Sequence, residues 1–217
     1  FDWLCVDMEH SSITIKDIPM LTSLIEKNDI SPLVRVGEND PNLIKRIMDC
    51  GAHGVIVANI KNADEAKKAI NAVKYPPMGT RGVGLYKAQG YGNKFNEYIK
   101  WLKNQSIVIL QIESLEAVEN IDEILSTKYL DGIMIGPYDL SGTMGITGKF
   151  SHPKFKKTIK YILDKSKKYS ISVGIHSIST DPKDFKKYSS QGFNFIACSL
   201  DTIFLSNSIS NFMKKIK

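Results

Sequence analysis

Residues 106–114 read SIVILQIES and residues 131–142 read DGIMIGPYDLSG, and these two stretches decide the fold. Each holds a Val-, Ile- or Met-rich run with no polar alternation, the pattern of a strand buried on both faces of a parallel sheet. Each also ends in acid: Glu113 closes the first, and Asp139 lies just past the second. In parallel α/β sheets the chemistry gathers at the carboxyl ends of the strands. Gln111 and Glu113 are two residues apart, so on a strand both side chains point to one face. Gly136 and Pro137 set an irregular backbone that leads to Asp139. Two carboxylates at neighbouring strand ends suit a hard divalent ion, and an oxygen-only set favours Mg2+ or Mn2+ over Zn2+, which prefers His and Cys. The competing explanation of Glu113 is a salt bridge to a nearby Arg or Lys, because an unpaired buried carboxylate is costly.

Outward from this pair, the same strand-then-helix unit repeats. FDWLCVDMEH (1–10), SPLVRV (31–36), GVIVANI (54–60), ISVGIHS (171–177) and FNFIACSLD (193–201) read as further strands. Helices are expected over 17–29, 41–50, 63–73, 96–102, 115–125, 153–169, 182–191 and 202–216. Asp40-Pro41 and Asn62 supply amino-terminal signals, and Gly51 and Gly192 supply stops. Regular alternation implies parallel pairing with right-handed crossovers. Seven such units make an α/β fold one βα unit short of a closed (β/α)8 TIM barrel. We expect one domain over 1–217, with no linker. Residues 75–92, YPPMGTRGVGLYKAQGYG, break every local rule for regular structure and read as a long ordered excursion, either functional or a subunit contact.

Composition narrows the classes. The chain has 217 residues and a formal charge of +6, from 29 basic against 23 acidic side chains. The lysines sit in helical segments, including the pairs Lys67-Lys68, Lys156-Lys157 and Lys167-Lys168, as on a solvated face. Clustered Arg with interleaved aromatics is missing, which argues against nucleic-acid binding. Cys5, Cys50 and Cys198 are odd in number and widely spaced, so free thiols in a reducing compartment are expected. No apolar run approaches the ~20 residues that span a bilayer, and no basic segment precedes the first strand. A cytoplasmic protein without membrane contact is the expectation. The chain begins without Met, directly in a strand, so a preceding segment is expected to be missing.

Three further strand ends carry polar chemistry. His10 follows Asp7 and Glu9; it is either a satisfied hydrogen-bonding residue or a group placed for proton transfer. Arg35 offers planar donors to a carboxylate or enolate oxygen, or else simply pairs with Glu9 or Glu113. His176 also ends a strand, whereas His53 and His152 fall at turns. A Schiff-base aldolase needs a lysine on an inner strand, and none of the expected strands has one in its core; Lys61 is the nearest. Carbanion chemistry in this chain would therefore fall to a metal.

Taken together, VDMEH (6–10), LVRV (33–36), MDCGAHGVIVA (48–58), YPPMGTRGVG (75–84), LQIES (110–114) and IGPYDLSG (135–142) resemble the HpcH/HpaI aldolase family, over essentially the whole chain and in order. These are metal-dependent pyruvate aldolases related to citrate lyase β subunits. The resemblance implies a (β/α)8 barrel that reversibly cleaves a 4-hydroxy-2-oxo acid to pyruvate and an aldehyde through a metal-stabilised enolate. It implies a divalent cofactor, Mg2+ or Mn2+, with Co2+ or Zn2+ as alternatives. It also implies a homo-oligomer, a hexamer in related enzymes, often with the last helix exchanged; Phe204, Leu205, Ile209 and Phe212 would serve there. By position, Glu113 and Asp139 match the metal-binding carboxylates, with Asp139 also at the substrate. Gln111 matches a substrate contact, and Tyr138 a backbone N–H that meets the pyruvate carboxylate. His10 matches the acid/base histidine, Arg35 the enolate-stabilising residue, and Asp49 the acid that raises the histidine's basicity. Asp49 ends a helix, however, which puts it at the opposite end of the barrel unless a neighbouring subunit supplies it.

Two departures from the family pattern stand out. Family members carry a strand and helix before the FDWLCVD equivalent, so this barrel would have a gap with two exposed edges. GIHS replaces a more apolar strand end found in some members, which bears on the aldehyde pocket. The alternatives are a citrate-lyase-like carbon–carbon lyase acting on a CoA thioester, and a non-catalytic truncated barrel acting in binding or assembly.

Overall fold

In a computed structural model, the seven apolar runs pair in chain order as one all-parallel sheet. The structure describes residues 1–216; Lys217, the last residue of the expected domain 1–217, lies outside the described residues. The strands are β1 (Trp3–Asp7), β2 (Ser31–Val36), β3 (Gly54–Val57), β4 (Ile107–Ile112), β5 (Gly132–Ile135), β6 (Ser172–Ser177) and β7 (Phe195–Cys198). The helices of the first half are α1 (Ile18–Glu26), α2 (Pro41–Asp49), α3 (Ala63–Val73) and α4 (Phe95–Gln105). Those of the second half are α5 (Leu115–Glu119), α6 (Ile121–Leu125), α7 (Pro137–Thr143), α8 (Pro153–Tyr169), α9 (Pro182–Ser190) and α10 (Asp201–Ile216). The sheet curls into a TIM-barrel-like fold with one βα unit missing, as expected. No described helix is long and apolar enough to cross a membrane.

Local chemistry sets the helix boundaries. The Asp40 carboxylate caps α2 by accepting from the N–H groups of Asn42 and Leu43 at 2.9 and 3.3 Å. Asn62 caps α3 through the Glu65 N–H at 2.9 Å, the position of a side-chain oxygen that satisfies an orphan helix donor. Gly51 leaves α2 at φ +94°, a conformation that favours glycine.

Two expectations need correction. The segment after Gly136 is not an irregular loop: Pro137 opens the helix α7. Proline's fixed φ and missing N–H suit a first helical turn as well as they suit a turn, and the residues after it continue as helix. The single helix expected over 115–125 is two, α5 and α6, joined at Asn120, whose side chain donates to the Lys61 carbonyl at 3.0 Å. The 75–92 excursion is present and contains one 3-10 turn, Lys87–Gly92.

Strand side chains alternate between two cores. Val34, Val36, Val55, Val57, Val108, Leu110, Ile112, Ile133 and Ile135 point outward and are fully buried under the helices. Each such side chain contributes about 1.5–3 kcal/mol, so this outer shell supplies most of the packing free energy. The inner core is smaller: Ile56, Ile109 and Met134, with Trp3, Ile107 and Phe195 packed on it. Trp3 on β1 and Phe195 on β7 stack at 4.2 Å with planes 13° apart. These rings connect the first and last strands, which share no hydrogen bonds.

Gly174 on β6 allows this closure. A Cβ there would press on the Phe195 carbonyl and come within 2.5 Å of the Phe195 ring. Gly174→Ala is expected to destabilise the chain by about 1–3 kcal/mol through overpacking, read as a lower urea midpoint. An unchanged midpoint would show that the interior has slack at this point.

Candidate active site

The inward positions at the carboxyl ends of the strands are polar, in contrast to the apolar positions below them. On β4 the sequence from Ile109 to Glu113 alternates so that Ile109 fills the interior while Gln111 and Glu113 reach its mouth. Glu113 is only 7% exposed. Its Oε1 accepts from the Asn59 backbone N–H at 2.7 Å, and its Oε2 accepts from the Gln111 side-chain amide. Asn59 directs that N–H by adopting φ +54° just past β3, a left-handed conformation that Asn tolerates better than most residues. Space for the carboxylate comes from Gly136, where a Cβ would lie 2.6 Å from Glu113 Oε2.

Burial raises the Glu113 carboxyl above the usual range, and the charges of Glu9 and Asp139 push it further; Gln111 and Asn59 offset only part of this. No cationic side chain pairs with Glu113 among the described residues. The salt-bridge explanation of this glutamate therefore does not hold within the chain. Asp139 stands on the first turn of α7, exposed, with its charge felt by both Glu9 and Glu113. Tyr138 precedes it, with its ring edge-on to Phe150 at 5.0 Å.

Across the mouth, strand register brings Asp7 of β1 beside Arg35 of β2. Arg35 Nε and Nη2 donate to the two Asp7 oxygens at 2.9 and 2.7 Å, a bidentate pair. Its Nη1 lies 3.3 Å from Glu9 Oε2. Of the two acids offered as alternative ion-pair partners of Arg35, Glu9 is close and Glu113 is not paired with it, while the main partner is Asp7. Burial would raise the Asp7 carboxyl, but the hydrogen bonds and charge of Arg35, helped by the N–H groups of Glu9 and His10, hold it below its usual value. Glu9 goes the other way: burial raises it more than Arg35 and His10 lower it. Its buried Oε2 has no hydrogen-bond partner.

His10 lies at the rim with its side chain 69% exposed and Nε2 3.8 Å from Glu9 Oε2. His176 faces inward from β6; burial, and then the charge of Arg35, favour its neutral form, against the pull of the Ser199 backbone and Asp7. The sequence marks Asp7 only as an acid near His10, Glu9 as such an acid and one alternative partner of Arg35, and His176 as a strand end. The signal was there in the alternation of VDMEH and GIHS, but which acid meets which cation depends on register. Burial also pushes the inward Cys5 thiol up to about 12, which leaves it unreactive.

Asp49 stands apart from this group. It ends α2, and its Oδ1 accepts from Arg81 Nη2 at 2.6 Å. Arg81 is itself buried, hydrogen-bonded to the Tyr98 hydroxyl at 3.0 Å and 4.7 Å over the Tyr75 ring. The chain that follows leads to His53, whose N–H donates to Pro32 near the amino end of β2. Within one chain, Asp49 and His10 are thus at opposite ends of the barrel.

Does this mouth suit a metal? Among the described residues no group of three His, Cys, Asp or Glu side chains forms a ready-made metal site. The donor chemistry is instead that of two carboxylates with waters, as Mg2+ and Mn2+ accept. A buried carboxylate that has hydrogen-bond donors and acidic neighbours but no cation fits that role.

Comparison with known proteins gives the family and the fold. The model of the HpcH/HpaI aldolase/citrate lyase family matches residues 1–208. The chain is 35% identical over 218 residues to a 2-dehydro-3,6-dideoxy-6-sulfogluconate aldolase of Pseudomonas putida, covering 100% of this chain and 84% of that protein. It is likewise 35% identical over 210 residues to a 4-hydroxy-2-oxo-heptane-1,7-dioate aldolase of Shigella flexneri, covering 96% and 78%. A crystal structure of an HpcH/HpaI aldolase/citrate lyase family protein from Burkholderia cenocepacia superposes with a TM-score of 0.92 at 29% identity, covering 100% and 86%.

The Asp7–Arg35 pair has a defined pH signature. A carboxyl lowered in the folded state contributes stability above its unfolded value, 3.8, and loses it as pH falls through the lower folded value. Asp7→Asn is expected to cost about 1.5–3 kcal/mol at neutral pH. That gap should hold constant down to the ordinary carboxylate range and close in stronger acid, followed by urea unfolding across pH. A gap that persisted undiminished in strong acid would count against the ion pair.

Proposed function

We propose a specific reaction from one premise: this chain belongs to the HpcH/HpaI aldolase/citrate lyase family, whose named relatives here are aldolases, that is, carbon–carbon lyases. The proposed reaction is reversible cleavage of a 4-hydroxy-2-oxo acid to pyruvate and an aldehyde. The name of the Shigella relative's substrate is consistent with that class. The single observation that carries the reading is Glu113: a buried carboxylate with hydrogen-bond donors, acidic neighbours and no cationic side chain.

Glu113 and Asp139 would hold a divalent cation, Mg2+ or Mn2+, which when bound supplies Lewis-acid stabilisation to negative charge on the 2-oxo group. The chain's own residues do the rest. Asp7 fixes the guanidinium plane of Arg35 through two hydrogen bonds, and Nη1, 3.3 Å from Glu9, would turn to the oxygen on which charge develops. His10 takes the 4-hydroxyl proton in cleavage and returns it in condensation, help worth about 100- to 10,000-fold. Glu9, 3.8 Å away, steadies the imidazolium that forms. In the first turn of α7 the Tyr138 N–H has no helical acceptor and would receive the substrate carboxylate. Gln111 positions Glu113 and borders the same space. Asp49 is engaged by Arg81 within the chain, so any effect on His10 would require a neighbouring copy. The exposed apolar residues Leu205, Ile209 and Phe212 of α10 support a homo-oligomer.

Glu113→Gln separates charge from shape. We expect Mn2+ affinity to collapse and pyruvate methyl-proton exchange in D2O with Mn2+ to fall by more than about 100-fold. Thermal stability without metal should not fall, because a buried charge is removed. In the native protein protons should displace Mn2+ at a higher pH than at an ordinary carboxylate, since burial raises this group. Exchange that survives both the substitution and EDTA would end the proposal.

A further inference from the structure

On the outer wall of the barrel, between α8 and α9, lies a groove of about 350 Å3. That volume is at the lower end of the range for small-molecule sites. Its floor is apolar, formed by Phe150, Phe155, Ile159, Leu163 and the outward-facing Ile175 of β6. Its rim is cationic: Lys156 and Lys160 on α8 stand opposite Lys187 on α9. The spacing along α8 accounts for this, since positions 155, 159 and 163 share a face with 156 and 160 on its border.

Among the described residues no rim lysine forms an ion pair, although Asp164 lies four residues from Lys160 and Asp184 three from Lys187. Lysines that form ion pairs among the described residues are Lys61, Lys67, Lys87 and Lys165; the three rim lysines are not among them. Residues 153–191 contain ten lysines against three aspartates, a larger excess than the +6 of the whole chain. Helices that merely face water gain by mixing signs at i,i+4. A one-signed rim above an apolar floor instead concentrates anions that carry an apolar body. The groove has the volume of a small-molecule site, about 350 Å3. It is also concave, so a flat bilayer would meet the lysines without filling the floor.

We propose that the α8–α9 groove binds a monomeric amphipathic anion, a carboxylate with an unbranched apolar body of medium length. The carboxylate lies among Lys156, Lys160 and Lys187, and the body lies along Ile159, Leu163 and Ile175. The Tyr188 hydroxyl, in the same wall, is an additional donor. The groove contains neither strand-end carboxylate, although Pro137 and Phe150 at its upper end border Tyr138, and binding there does not depend on the reaction proposed for those carboxylates.

Sodium octanoate, titrated into the full chain and followed by methyl NMR, tests the assignment. Saturable shifts at Ile159, Leu163 and Ile175 are expected, with octanoate about three- to fourfold tighter than heptanoate, one methylene shorter. Octanamide, which keeps the body without the charge, should bind more weakly, and acetate should leave these methyls unmoved. The combined Lys156→Glu, Lys160→Glu and Lys187→Glu variant changes only exposed side chains. It should keep its circular dichroism and weaken octanoate binding at least about tenfold. Absence of saturable shifts, or equal affinity in that variant, would overturn the proposal. Sedimentation with phosphatidylglycerol vesicles in the absence of octanoate binding would assign the face to a membrane surface instead. Concentration-dependent self-association that blocks octanoate would assign it to a second copy.

Discussion

Side chains along a strand alternate with a period of two, and on β4 that constraint forces Gln111 and Glu113 to share the inner face. Outward positions of the same strand, Val108, Leu110 and Ile112, are fully buried under helices, so the strand cannot rotate without exposing them. The carboxylate is therefore held in a low-dielectric mouth by packing it does not take part in. Removing a carboxylate from water costs several kcal/mol, whereas each hydrogen bond to it returns about 1.5–3 kcal/mol. The Asn59 N–H and the Gln111 amide compensate only partly. What is left over is a readiness to accept positive charge, and this is the physical basis of the site.

The mouth is divided electrostatically. Glu9, Glu113 and Asp139 influence one another on one side. On the other, Arg35 is clamped by Asp7 and turned toward Glu9. A guanidinium held at two nitrogens is pre-oriented, and its remaining Nη1 faces Glu9. Burial favours the neutral form of His176 on the inner wall, and His10 is exposed at the rim. The outer wall follows a different logic, with unpaired lysines bordering apolar side chains between α8 and α9.

Closure of the barrel is equally a matter of packing. Strands β1 and β7 exchange no hydrogen bonds, and the stacked rings of Trp3 and Phe195 occupy the interior between them. Glycines at 136 and 174 make room where a carboxylate and a ring come close to the backbone. Small residues here are required by their neighbours and not by their own backbone angles.

Much of this molecule was legible in the amino-acid string, because it depends on neighbours a few residues apart. Apolar runs without alternation marked the parallel strands; Asp40, Asn62, Gly51 and Gly192 marked helix ends; and i, i+2 spacing placed Gln111 beside Glu113. Pro137 was ambiguous even locally, since proline opens helices as readily as it forms turns. Only the tertiary structure decided the pairings that link distant segments: Asp7 with Arg35, Asp49 with Arg81, Trp3 with Phe195, and Gly136 against Glu113. The reason is register. A strand's own pattern says which side chains face inward, but how far it slides against its neighbour is set by the packing of all the helices around the sheet. That offset determines which inward group meets which.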